Sequence, residues 1–169
     1  MIDQTAKCPK WLIDRIIDGG GSISFHRYMD LVLNDSENGF YSTGRLTIGK
    51  NGDFCTSPSL SNDFARLLAI QVVDWILDLE NSGIESELFS LVEIGPGEGT
   101  LSRDLIVAIT EIAPALISKI ELILVELNLG MRKRQKKVVN TLDEINCRWC
   151  SIEDLVSSPV TGVIIAMKF

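Results

Sequence analysis

Three glycines at alternate positions constrain this chain more than any other feature. They sit in Leu91-Val92-Glu93-Ile94-Gly95-Pro96-Gly97-Glu98-Gly99-Thr100-Leu101, where an apolar run ends in an acidic residue, turns, and restarts as a helix. Glycine permits backbone angles closed to other residues and leaves no side chain in a ligand's path. An open α/β sheet uses such a turn to bring its backbone against a nucleotide-like ligand, outside the carboxyl ends of the strands. A helix opening at Thr100 would point free N–H groups and the positive end of its dipole at the same place.

The sequence around the turn agrees with this architecture. Leu88 to Ile94 reads as strand one, Thr100 to about Thr110 as a helix, and Glu121 to Glu126 as strand two. Leu129 to about Leu142 reads as a second helix, Asn146 to Trp149 as strand three, and Gly162 to Ala166 as strand four. Apolar strands alternating with helices predict a parallel sheet covered on both faces. Residues 86–169 are therefore expected to be the first half of a Rossmann-like domain. Residues 1–85 read as a helical and long-loop region before it. There, Pro9 to Ile17 and a helix capped by Ser24 and running through Leu33 are followed by a glycine-punctuated loop from Asn34 to Ser61. Ser61 is read as the cap of a long helix from about Asn62 to Leu79. Its apolar stripe, including Phe64, Leu67, Ile70, Val73, Trp75, Ile76 and Leu77, predicts burial over much of its surface.

Charge and composition narrow the classes. A net charge of −7 gives no whole-chain support for nucleic-acid binding. No apolar run approaches the roughly 18 residues of a membrane span, and the N-terminus lacks signal or transit features, so a cytoplasmic protein is expected. The one Cys-x-x-Cys pair, Cys147 and Cys150, lacks the second pair or the histidines that a structural zinc needs, because His26 is the chain's single histidine. The cysteines read as free thiols in a reducing compartment, with no metal. The basic run Arg132-Lys133-Arg134-Gln135-Lys136-Lys137 is short and free of aromatics, and reads as a solvated helix face.

Two cofactor patterns compete for the turn. The dinucleotide fingerprint Gly-x-Gly-x-x-Gly requires glycine where Thr100 stands. An acidic residue followed two positions later by Gly-x-Gly-x-Gly, the S-adenosylmethionine pattern, is met by Glu93, Gly95, Gly97 and Gly99. The ammonium and sulfonium of that cofactor suit a carboxylate, whereas Glu93 and Glu98 would repel a pyrophosphate. Glu126, at the end of strand two, is placed to accept hydrogen bonds from both ribose hydroxyls.

Further motifs lie outside the turn: Ile23-Ser24-Phe25-His26-Arg27-Tyr28-Met29, Gly39-Phe40-Tyr41, Gly52-Asp53-Phe54-Cys55-Thr56-Ser57-Pro58, Ser61 with Phe64, and Asp104-Leu105. With these the chain resembles the MidA-type S-adenosylmethionine-dependent methyltransferases. The resemblance implies a class I methyltransferase fold and methyl transfer to protein arginine. It implies that Gly52 to Pro58 folds over the cofactor, with Asp53, Phe54 and Thr56 in the site and adenine near Ser151 and Ile152. Asp53 is the carboxylate it offers to hold and deprotonate a guanidinium.

The chain departs from that family after strand four, where Met167-Lys168-Phe169 stands in place of Asn-Glu and further strands. It reads as C-terminally truncated, with an incomplete sheet of order 3-2-1-4 and strand four as an apolar edge, to be covered by a partner or a second copy. Two functions follow. One is a methyltransferase. The other is a non-catalytic methyltransferase-fold protein that binds cofactor or a partner only.

Overall fold

A computed structural model describes residues 7–49, 51–53, 61–84, 86–142 and 145–167. The apolar runs form β1 (Phe89–Ile94), β2 (Ile120–Val125), β3 (Asn146–Cys150) and β4 (Gly162–Ala166), all parallel, in the order β3-β2-β1-β4. The order is the one the family resemblance implies. Register puts Cys150 beside Val125, Val125 beside Ile94, and Ile94 beside Ala166. The four strands therefore end in one row. Whatever follows each strand (Gly95, Glu126, Ser151, Met167) emerges on the same edge of the sheet.

Helices α1 (Lys10–Asp18) and α2 (Phe25–Asn34) precede the long α3 (Asp63–Asn81). The crossovers carry α4 (Thr100–Ile112) and α5 (Leu129–Val139). As expected, Ser24 caps α2, accepting from the Arg27 N–H at 3.2 Å. At the start of α3 the positional cap is Asn62, one residue later than expected. Ser61 accepts from the Asp63 N–H at 2.9 Å.

Both faces of the sheet are covered, as expected, but unequally. Phe89, Leu91, Leu122, Leu124, Val163 and Ile165 meet Ala65, Ala69, Val72 and Ile76 of α3, Leu105 and Ile109 of α4, and Val139 of α5 in one large core. The opposite face carries a smaller cluster of Val92, Ile123, Val125 and Cys150 with Leu155 and Val160. The broad burial expected of α3 is also corrected. Ala65, Ala69, Val72, Val73 and Ile76 form a single stripe at helical spacing, and the sheet offers that stripe one surface. Leu67, Ile70 and Trp75 remain 71%, 51% and 45% exposed.

Two short elements were not expected: a 3-10 helix, Pro114–Lys119, and α6 (Ile152–Ser157). Six residues are too few for hydrophobic periodicity to show. The signal for α6 is its capping box: Ser151 Oγ accepts from the Asp154 N–H (3.1 Å), and Asp154 accepts from the Ser151 N–H (2.8 Å).

Candidate cofactor site

The glycine turn takes the form its sequence requires. Gly95, Gly97 and Gly99 have φ of 67°, 55° and 83°, a left-handed sequence closed to ordinary residues. A Cβ on Gly97 would also lie 2.7 Å from Ile48 Cδ1. The turn closes through Gly99 N–H donating to the Pro96 carbonyl (2.8 Å), and α4 opens at Thr100.

A cavity of about 340 Å³ adjoins the turn, within the range of small-molecule sites. Gly95 and Gly97 form its backbone wall. Glu126 and Asn128 supply polar groups, and Tyr41, Leu46, Ile48 and Met131 the apolar surface. One carboxylate beside side-chain-free backbone and apolar walls is the chemistry a nucleoside with a free diol would need.

Glu126 is partly buried and oriented by the protein. Its Oε1 accepts from the Asn128 N–H (2.9 Å) and its Oε2 from Gln135 Nε2 (3.1 Å). Glu93 is in a different position. It shares the large-core face of β1 with Leu91, is 3% exposed, and does not line the cavity. Ser102 of α4 donates a short hydrogen bond to its Oε2. Burial pushes its carboxyl up to about 7, against the lowering effect of Ser102.

Glu98 does not stand free toward a ligand. It pairs with Arg134 of α5 and accepts from the Ile48 N–H at 3.3 Å. Arg134 also donates to the carbonyls of Gly44 (2.9 Å) and Leu46. One guanidinium thus fastens the loop after α2 to both the glycine turn and α5. The loop approaches closely because Gly130 has no side chain. A Cβ there would overlap the Ser42 carbonyl, and Ser42 donates to Asn128 Oδ1 at 3.0 Å.

These contacts correct the reading of residues 132–137 as a solvated face. Arg132 donates to the Glu126 carbonyl (2.6 Å), Gln135 is fully buried, and Lys136 lies 5.4 Å from the Trp149 ring centroid. Only three-dimensional pairing separates the inward Arg132, Arg134 and Gln135 from outward Lys133 and Lys137. Sequence reasoning missed all three, and the one usable signal was an uncharged Gln inside a cationic run.

The remaining predicted residues divide. Asp53 is exposed and outside the cavity lining. Its Oδ2 accepts from both the N–H and the hydroxyl of Thr47, each at 2.9 Å, which holds its carboxyl below the usual range. Phe54 and Thr56 lie outside the described residues. Ser151 and exposed Ile152 follow β3 on the same sheet edge as Glu126, where Ser151 caps α6. They do not line the cavity. Cys147 and Cys150 are free thiols on β3, the former pushed up to about 11 by burial. Among the described residues no group of acidic, Cys or His side chains is placed to hold a metal, and no helix is long and apolar enough to cross a membrane.

A parallel sheet of order 3-2-1-4, with a glycine turn after its first strand and an oriented carboxylate after its second, defines a class I methyltransferase-like α/β protein. Residues 67–169 match the family described as "Putative S-adenosyl-L-methionine-dependent methyltransferase", and the chain belongs to that family.

The mitochondrial protein arginine methyltransferase NDUFAF7 of Bos taurus is 37% identical over 101 residues, which is 59% of this chain and 22% of that protein. Its Drosophila melanogaster homolog is 40% identical over 92 residues, 54% of this chain and 20% of that protein. A COG1565 superfamily member from Burkholderia thailandensis, solved bound to S-adenosyl-homocysteine, superposes with a TM-score of 0.70 at 30% identity. The match covers 92% of this chain and 39% of that one. The chain thus spans about a fifth of the curated relatives it matches.

Proposed function

We propose that this chain binds S-adenosylmethionine in the cavity beside the glycine turn and serves methyl transfer to protein arginine. The observation that carries this reading is Glu126, held by two donors in the same cavity as the Gly95 and Gly97 backbone. Glu126 accepts the ribose hydroxyls, and Gly95 and Gly97 let the ligand approach the backbone. Adenine lies toward Ile152 and Ser151. Glu93 supports the site indirectly, from within the core, through its hydrogen bond with Ser102 at the start of the helix that follows the turn. The cofactor supplies a methyl group on a sulfonium. The chain's own task is to orient that group and to exclude water with Leu46, Ile48 and Met131. Asp53, kept ionised by Thr47, offers charge to an acceptor guanidinium but is a weak proton acceptor there. Phe54 and Thr56 complete the proposed contacts on the family resemblance alone.

A second reading, a non-catalytic cofactor-binding unit that works with a partner or a second copy, is favoured by apolar surface at β4. There Ile164 is 57% exposed, beside Trp75 and Leu79. The free thiols suit a reducing compartment such as the cytoplasm. Incubation with methyl-labelled S-adenosylmethionine and arginine-containing proteins separates the two. Label on arginine supports the first reading, and bound cofactor without transfer supports the second. Absence of cofactor binding overturns both.

A further inference from the structure

Gln135 is a fully buried amide in the middle of α5. Its Nε2 donates to the Gly97 carbonyl (2.8 Å) and to Glu126 Oε2 (3.1 Å), and its Oε1 accepts from the indole N–H of Trp149 (2.9 Å). One side chain joins the turn after β1, the carboxylate after β2, and β3 itself. The orientation of the amide has a single solution. An indole N–H can only donate, so the amide oxygen must face Trp149. A backbone carbonyl and a carboxylate can only accept, so the NH2 must face Gly97 and Glu126. Both amide protons are then used.

The consequence falls on Glu126. An ionised carboxylate has about four acceptor sites. The Asn128 N–H occupies one on Oε1 and Gln135 one on Oε2. Each oxygen keeps further acceptor capacity, and Glu126 lines the cavity. Two oxygens with acceptor capacity on one fixed carboxylate match the two donors of a vicinal diol.

We propose that Gln135 is a positioning residue: locked by Trp149, it holds the Gly97 carbonyl and Glu126 so that both carboxylate oxygens receive the ribose diol of the cofactor. This rests on the cofactor reading above.

The test is calorimetric titration of the full chain with S-adenosyl-homocysteine and with its 2′,3′-dideoxy analogue, which lacks both diol hydroxyls. The unaltered chain is expected to prefer the ribose form by at least about tenfold, the worth of one or more charge-assisted hydrogen bonds. Gln135→Met is expected to lose about tenfold for the ribose form and less than about twofold for the dideoxy form, so that the preference collapses. Equal losses for both ligands, as a merely structural glutamine would give, overturn the proposal, and so does no loss. Trp149→Phe leaves the amide but frees it to flip. It is expected to show a smaller loss with the same selectivity, and it carries the test if circular dichroism shows Gln135→Met unfolded. Failure of the unaltered chain to bind either ligand overturns the cofactor reading itself and this proposal with it, a result distinct from the others.

Discussion

Two carboxylates mark the ends of adjacent strands, and they meet opposite surroundings. Glu93 is on β1, one residue before its end, facing the large core with a single hydroxyl partner. Glu126 is one residue past β2, beyond the last ladder pair, where it lines a cavity and is oriented by an amide and a backbone N–H. A shift of two residues relative to the strand end decides whether a carboxylate is sealed in the fold or lines the cavity. By sequence both looked like ligand-binding acids. The register puts Glu126 at the cavity and Glu93 in the core.

The largest expected effect tests the sealed acid. Its carboxyl titrates at 4.5 ordinarily and at about 7 in the fold. Between those values the folded chain holds the proton more tightly than the unfolded one. The stability this contributes is therefore complete below about pH 4.5 and is lost as pH rises through 7, by about 3 kcal/mol. Glu93→Gln should be more stable than the parent by up to about that amount at pH 8, and not at pH 4. Urea unfolding at both pH values checks this. An advantage independent of pH would remove burial as the cause.

Glu126→Gln should instead weaken S-adenosyl-homocysteine binding by about thirtyfold while changing stability by less than about 1 kcal/mol. Unfolding curves alongside the titration would show whether the two acids have in fact exchanged roles. Arg134→Ala removes the fastening of the loop that brings Leu46 and Ile48 to the cavity. A loss of about 1–2 kcal/mol is expected, with faster amide exchange at Leu46 and Ile48. Unchanged exchange would mean that apolar packing alone holds the loop. The smallest effect belongs to the third strand end. Ser151→Ala should cost about 1 kcal/mol by breaking the capping box, read as a lowered urea midpoint.

The parallel sheet and its glycine turn were legible because local signals carry them, whereas the strand order came from the family resemblance. Strand four was bounded correctly from Gly162 to Ala166, and the other strands to within a residue or so at each end. Glu126 was legible because a strand end fixes its place. The task of Arg132, Arg134 and Gln135 was not, since it depends on a loop some 90 residues earlier in the chain and on a helix's rotation about its axis. Asp53 shows the same limit from the other side. A short motif marks the residue, but only the fold reveals that Thr47 takes up its Oδ2. The exposed flank of α3 escaped because periodicity reports which residues are apolar, not how many surfaces are present to cover them.

The central claim is that the cavity between the glycine turn and Glu126 accepts S-adenosylmethionine rather than a dinucleotide. Calorimetric titration of the unaltered chain with S-adenosyl-homocysteine and, separately, with NAD tests it most directly. Saturable one-to-one binding of the first and none of the second is expected. Binding of NAD, or of neither ligand by a chain shown to be folded, would contradict it.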